Sequence, residues 1–358
     1  MEKNIGKILS EYKPLIDKAI EKNIPRQFQG APLERMAGKP RYAYDTRSIT
    51  QSISTPIWDL LDRGGKRWRP GLTLIIIEAL GKNPKKFLDF ASISEVVHNG
   101  TLMVDDIEDN SDFRRGKPCI HKIYGNDLAI NAGNAMYFLP LKIIMESSLS
   151  DKTKNALYEV YAQEMINVSL GQGMDIYWHK GLKHDISEKE YLQMCAYKTG
   201  CLARMAAKIG AVLGGATPKQ LYALDEFVET IGIAFQIQDD ILNLTAGEEG
   251  KKDLGGEYGK EIGGDVSEGK ITLMVIHSLK HSPRKTRLKE ILSMHTKNQA
   301  LINEAIGILN QAGSIEYARQ AAAKLVKNAW AKVEKTLPNN SGKEKLRAFA
   351  DYLVERSY

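Results

Sequence analysis

The sequence predicts an all-α fold, a large single-domain helical bundle. Three observations carry that reading. Apolar residues recur at steps of three and four along most of the chain, the period of a helix with one buried face. No Asn-Gly or Asp-Gly pair lies between alternating apolar runs, so hairpin signals are missing. Glycine and proline break the helical pattern at intervals, at Gly64-Gly65, Gly71, Gly81 with Pro84, Gly116 with Pro118, Gly214-Gly215 with Pro218, and Pro338.

The elements follow in chain order. The opening MEKNIGKILSEYKPLIDKAIEKN carries charges throughout and lacks a small-residue cleavage site, so it reads as an amphipathic helix and not as a signal peptide. The stretch 92–109 places Val97, Thr101, Val104 and Glu108 at helical steps. The stretches 219–244 and 298–335 read the same way. Between them lies a charged, glycine-rich loop, 247–264, of the kind that serves function more often than it lies idle. No composition shift marks a linker and no internal repeat is visible. The expected organisation is one domain over 1–358, with an N-terminal helical extension at 1–50 and C-terminal helices at 320–358.

Composition narrows the function. Of 358 residues, 43% are apolar and 26% charged, which excludes a disordered chain, a collagen-like fibre and a disulfide scaffold. Fifty basic residues against 44 acidic ones leave a formal charge of +6, too small a surplus to indicate nucleic-acid binding. Gathered in one cleft, it suits anionic small molecules. Cys119, Cys195 and Cys201 are too few and too irregular for a disulfide framework or a zinc site, which fits a reducing cytoplasm. No apolar run is expected to span a bilayer, so no membrane anchor is expected.

Two acidic clusters carry the chemistry. The first is Val104-Asp105-Asp106-Ile107-Glu108-Asp109, running on through Asp112 to Arg114-Arg115-Gly116; the second is Phe235-Gln236-Ile237-Gln238-Asp239-Asp240-Ile241-Leu242-Asn243. Each ends an apolar helical pattern. Asp105 and Asp109 are one turn apart and share a face; Gln236 and Asp239, or Gln236 and Asp240, are also one turn apart. Like charges at that spacing repel, and in a cleft one carboxyl takes up a proton unless a cation intervenes. Mg²⁺ suits such a pair, because it takes one or two carboxylates and leaves room for water and substrate phosphate. A single acidic cluster is most often a solvated helix end; two of them, each tied to basic residues, favour a cation site.

The basic residues complete the pattern. Gly64-Gly65-Lys66-Arg67-Trp68-Arg69-Pro70 sets three cations beside flexible backbone, where Arg offers a bidentate fork and Lys a point charge to a diphosphate. Alone, such a turn is usually a solvated surface. Arg114 and Arg115 trail the first acidic cluster, Lys198-Thr199-Gly200 interrupts a helical pattern, and Lys260 and Lys270 flank the glycine-rich loop. His98 lies two turns before Asp105 on the same face. A lone histidine there is more often a core residue than a ligand, although its alignment with Thr101, Asp105 and Asp109 raises the functional share.

These strings resemble the trans-prenyl diphosphate synthases, the polyprenyl synthetase family, and within it the geranylgeranyl diphosphate synthases. GGKRWRP, DDIEDNSDFRRGKP, GQGMDIYW, YKTG, FQIQDDILNL and GGDVSEGK occur in the family's order between residues 57 and 319. The resemblance implies an isoprenoid-synthase bundle with a central active-site cavity, built as a homodimer. It implies a prenyltransferase that condenses isopentenyl diphosphate with an allylic primer (dimethylallyl, geranyl or farnesyl diphosphate). By the same resemblance Asp105, Asp109 and Asp239 ligate about three Mg²⁺ ions, for which Mn²⁺ is able to substitute. Arg114, Lys198, Thr199, Gln236, Lys260 and Lys270 hold the allylic diphosphate. Lys66, Arg69, His98 and Arg115 hold isopentenyl diphosphate. Asn243 departs from the aspartate usual at the end of the second acidic motif, and the loop 247–264 looks longer than in similar chains.

Product length is a matter of packing. The residues one turn before Asp105 are small, Gly100 and Thr101, where family members that stop at fifteen carbons place aromatics. Tyr137 and Phe138, on the following helix, are candidates to close the cavity at twenty carbons, and plain core positions are the equal alternative. The expected product is geranylgeranyl diphosphate, with farnesyl or a longer polyprenyl diphosphate as the alternative. A class I terpene cyclase shares the acidic clusters but needs no second diphosphate site. A regulatory subunit of a heteromeric synthase would commonly have lost an acidic motif, and this chain retains both.

Overall fold

The computed structural model describes residues 5–183, 185–245 and 263–354, and Lys260 with most of the glycine-rich loop lies outside them. Among the described residues the regular structure is helical apart from one hairpin of two-residue strands. The helices include, numbered here in chain order, α1 (Ile5–Asn23), α2 (Trp68–Ala79), α3 (Leu88–Glu108), α4 (Asn126–Phe138), α5 (Asp151–His179), α6 (Glu188–Cys195), α7 (Cys201–Gly214), α8 (Pro218–Thr245), α9 (Ser314–Val333) and α10 (Ser341–Val354).

Local chemistry sets several boundaries. Ser187 and Glu190 form a reciprocal capping box at the start of α6, which satisfies two orphan N–H groups. Gly215, at φ 73°, closes α7 in the left-handed region that glycine adopts without strain. Gly313, at φ 67°, divides the stretch expected as one helix over 298–335 into Gln299–Gln311 and α9.

The core is apolar and falls into three clusters, the largest of them around α2, α7, α8 and α9. α2 and α7 pack together through Leu72, Ile75, Ile76, Ala203, Ala207 and Ala211, and α8 packs along α9 through Phe227, Ile231, Ala322 and Trp330. Each fully buried leucine or isoleucine there contributes roughly 1.5–3 kcal/mol. α1 packs on α3, and its Lys7, Ser10 and Lys13 line the central cavity. The N-terminal segment is therefore part of the cavity wall as well as an extension.

Two differences from expectation have physical causes. The hairpin pairs Phe113–Arg114 with Lys117–Pro118 around Arg115 and Gly116, at φ 53° and 73°. Two positive φ values make the turn that matches strand twist, and arginine at its first position hid the signal usually given by Asn-Gly. The segment Asn126–Met145 is long and apolar enough to cross a membrane by length and composition, contrary to the expectation that no stretch is. Pro140 splits it into α4 and the short helix Leu141–Met145, and Ala129, Ala132, Gly133 and Met136 are buried in the bundle.

Candidate active site

α3 and α8 deliver the acidic clusters to one cavity of about 1910 Å³. That exceeds the roughly 300–1,000 Å³ of a pocket for one small ligand, leaving room for two. Asp105, Asp109, Asp239, Asp240 and Asp265 line it, together with Lys66, Arg69, His98, Arg114, Arg115, Lys198, Thr199, Gln236 and Lys270. The clusters come at or near helix C-terminal ends, where the helix dipole disfavours anions and favours a cation.

A break in the helix between α6 and α7 stitches the two clusters together. Ala196–Gly200 is a single π-turn, and such turns push side chains off the regular helical face. Lys198 Nζ lies 2.6 Å from Asp175 and 3.4 Å from Asp105, while the next residue, Thr199, donates to Gln236 Oε1 at 2.5 Å. Two glycines let neighbouring helices approach the turn. A Cβ on Gly171 of α5 would stand 2.2 Å from the Lys198 nitrogen, and one on Gly232 of α8 would stand 2.4 Å from the Gly200 Cα.

The carboxylates show what the site lacks. Burial alone would raise Asp105, but Lys198, Arg114 and Lys270 hold it below the usual carboxylate range. Asp109 goes the other way, raised by burial and by Asp105. Asp109 Oδ1 is buried with no hydrogen-bond partner. An orphaned buried oxygen beside a second carboxylate fits a hard divalent cation bound through oxygen. Among the described residues no group of three or more Asp, Glu, His or Cys converges as a metal cage. Two carboxylates with one orphaned oxygen fit an ion that completes its shell with water and substrate phosphate, as Mg²⁺ does.

Lys270 approaches Asp109 and Asp265, each at 3.6 Å, and also pairs with Glu268. Gln172 donates to Asp105 at 2.8 Å and to Glu108 at 2.7 Å. Gln172, Asp175 and Asp265 were not singled out from the sequence, although the strings GQGMDIYW and GGDVSEGK contain them. Asn243 is buried away from the cavity; its Oδ1 accepts from the Asp265 N–H at 3.0 Å, and its carbonyl from the Gly263 N–H at 2.8 Å. It thereby holds the segment that carries Asp265.

At the other end the excess charge is positive. Arg67, at φ 52°, points inward and is neutralised by Glu95 at 2.9 Å and Asp17 at 2.8 Å. Arg69 stacks on Trp68, its Nε has no partner, and burial pushes it down to about 10. Arg115, donating to the carbonyls of Gly64 and Leu60, is likewise pushed down to about 10 by burial and by Arg67 and Arg114. Burial and these guanidinium groups hold His98 well below its ordinary value, so it is neutral. Two arginines with depressed pKa values and an orphan donor make a site that a bound anion would relieve. Arg114 faces elsewhere, anchored to Asp106 through its Nε at 2.8 Å and lying 3.8 Å from Asp105.

The length-setting residues divide. Thr101 and Tyr137 line the cavity. Gly100 and Phe138 do not, which corrects their expected role. A Cβ on Gly100 would meet the Gly133 carbonyl at 2.8 Å and the Tyr137 ring at 3.1 Å, so this glycine makes room for the α3–α4 crossing. Phe138 is 69% exposed, on a different face of α4 from the buried Ala129, Ala132, Gly133 and Met136.

The polyprenyl synthetase family model matches residues 50–309. The chain belongs to the polyprenyl synthetase family. It is 34% identical over 299 residues to a short chain isoprenyl diphosphate synthase of Methanothermobacter thermautotrophicus, an alignment covering 84% of this chain and 89% of the relative. It is 35% identical over 302 residues to a geranylgeranyl diphosphate synthase of Methanosarcina mazei, covering 84% and 88%. Its fold matches the crystal structure of a geranylgeranyl pyrophosphate synthetase from Pyrococcus horikoshii with a TM-score of 0.81 and 29% identity, over 98% of each chain. The protein is a prenyltransferase of the isoprenoid-synthase helical fold.

Proposed function

We propose that the enzyme condenses isopentenyl diphosphate with an allylic diphosphate and releases geranylgeranyl diphosphate. The observation that carries this reading is the division of one cavity into two anion-binding ends, one acidic and suited to a metal, the other built on Arg69 and Arg115 with His98 and Lys66. A cyclase needs only the first.

Asp105, Asp109 and Asp239 would hold Mg²⁺, which supplies Lewis acidity to the leaving diphosphate. Lys198 and Lys270 reach the same place and add positive charge to it. Gln236 Oε1 and the Thr199 hydroxyl present dipoles near the carbon that becomes cationic. Leu102, Val104, Met165 and Leu202 wall the prenyl tail and exclude water that would quench the cation. Arg69 and Arg115 fix isopentenyl diphosphate so that its double bond meets the cation. The proton lost afterwards goes to the departed diphosphate, and no side chain is assigned as its acceptor.

Product length follows from Thr101, whose small side chain leaves the tail channel open, with Tyr137 lining the channel across from it on α4. Thr101→Phe fills that space and is expected to shift the main product from twenty to fifteen carbons, read by chromatography of the dephosphorylated alcohols; an unchanged product contradicts the assignment. A relative 31% identical over 372 residues is a geranylfarnesyl diphosphate synthase of Natronomonas pharaonis, so longer products are the second reading.

A homodimer accompanies this proposal. Ile130 and Phe138 on α4, Met145 on the short helix after it, and Tyr177 on α5 are exposed apolar side chains outside the cavity, suited to a second copy. A monomeric mass by light scattering would overturn it. The cytoplasm is the proposed location, in keeping with three buried, unpaired cysteines. The deciding experiment incubates the purified chain with isopentenyl diphosphate, each allylic primer and Mg²⁺. Elongated prenyl diphosphates are expected; no consumption of isopentenyl diphosphate overturns the reading.

A further inference from the structure

A buried hydrogen-bond chain runs from α6 into the reacting end of the cavity. Tyr191, almost fully buried, donates from its hydroxyl to Asp240 Oδ2 at 2.7 Å. Asp240 Oδ1 accepts from Gln236 Nε2 at 2.8 Å, and Gln236 Oε1 accepts from the Thr199 hydroxyl at 2.5 Å. The four groups come from α6, α8 and the π-turn, and none duplicates another's contact.

The orientation of the Gln236 amide decides what the cavity receives. An amide can flip, exchanging oxygen for nitrogen, and only its surroundings choose. Here Asp240 Oδ1 selects the Nε2 end, which turns Oε1 toward Thr199 and the cavity. What keeps Asp240 in register is Tyr191, the one side chain bonded to its second oxygen in this chain of contacts. Burial and Asp265 push Asp240 up to about 8. The arrangement does not depend on that, because a tyrosine hydroxyl both donates and accepts and Oδ1 remains an acceptor in either state.

We propose that Tyr191 is a positioning residue for ionisation of the allylic substrate: through Asp240 it fixes the Gln236 amide, and with it the Thr199 hydroxyl, so that their oxygen dipoles face the developing cation. The inference rests on the prenyl-transfer reading. Thr199 and Gln236, which the resemblance assigns to the allylic diphosphate, are here given the reacting carbon instead; the diphosphate contacts left to Lys198, Lys270 and the carboxylates do not pass through Tyr191, so substrate affinity is separate from its role. A cation less well held is more open to capture by water. In that side reaction the allylic C–O bond breaks, diphosphate leaves with the bonding pair, and water adds and loses a proton, giving the free allylic alcohol.

The test is Tyr191→Phe, which removes one oxygen and keeps the ring. The expected result is a kcat lowered about tenfold, the loss of one aligned hydrogen bond, with the KM of the allylic diphosphate within about twofold of wild type. The fraction of primer released as alcohol rises, and the effect shrinks to less than about twofold in a Thr199→Val background, where the chain is already cut. Unchanged kcat and alcohol fraction, a KM that rises as kcat falls, or an undiminished effect beside Thr199→Val overturns the proposal. Wild-type enzyme assayed in parallel separates the failures: if it does not elongate, the functional reading fails, and if it elongates while Tyr191→Phe behaves identically, only this inference does.

Discussion

Replacing Asp105 or Asp109 by asparagine is expected to lower kcat by about 10³-fold, the scale of losing a preorganised electrostatic partner at the leaving group. The two substitutions should part in their effect on stability. Asp105 is held below the usual carboxylate range by Lys198, Arg114 and Lys270 despite its burial. A depressed folded pKa adds stability that is present above the unfolded value and lost as pH falls through the folded one. At pH 7 Asp105→Asn removes that contribution and is expected to cost about 1–3 kcal/mol. Asp109 is raised by burial and by Asp105, so its ionisation at pH 7 opposes folding. Asp109→Asn relieves that opposition and should leave stability unchanged or higher, the trade between activity and stability expected of a site kept for function. Denaturant titration in chelator, beside steady-state kinetics with Mg²⁺, reads both. A destabilised Asp109→Asn with a stable Asp105→Asn, or either variant keeping more than about a tenth of wild-type kcat, contradicts the account.

The second large effect belongs to a residue with no chemistry of its own. Gly171→Ala places a methyl 2.2 Å from the Lys198 nitrogen and 2.5 Å from the Tyr197 carbonyl carbon, both backbone atoms. No side chain can rotate away, so the π-turn must move relative to α5. Overpacking of this kind costs about 1–3 kcal/mol. The same shift displaces Lys198 and Thr199 together, and a misplacement near 1 Å is worth about 10² in rate. The variant should therefore fold with reduced stability and lose kcat about a hundredfold, with the fall in turnover outlasting any temperature at which it remains fully folded. A variant with wild-type kcat would show that the close packing of α5 on the turn does not set the site.

The sequence exposed some of this and concealed the rest for identifiable reasons. The acidic clusters were legible because helical spacing puts Asp105 and Asp109 on one face, and the helical period does not depend on tertiary contacts. The basic turn was legible as a group, but not the division of labour inside it. Glu95 and Asp17, distant in sequence, neutralise Arg67 and leave Arg69 for an anion. Asp175 acts through Lys198, which only the fold brings near, whereas Asp265 meets Lys270 locally, across the short helix Gly264–Ser267. The π-turn was seen only as an interruption at Lys198-Thr199-Gly200, since its shape depends on Gly171 and Gly232 on two other helices. Gly100 and Phe138 were misjudged for one reason: smallness and aromaticity are visible in a sequence, while which face of a helix meets a cavity depends on the crossing with its neighbour.

Binding without turnover tests the two-ended cavity most directly. Calorimetry would follow isopentenyl diphosphate alone, and then an allylic diphosphate whose bridging oxygen is replaced by sulfur so that it ionises too slowly to react. The account predicts that the allylic analogue binds only with Mg²⁺ and is lost in Asp105→Asn. It predicts that isopentenyl diphosphate binds without metal and is lost in Arg69→Ala. Competition of both ligands for one site, or an equal metal requirement for both, would contradict it.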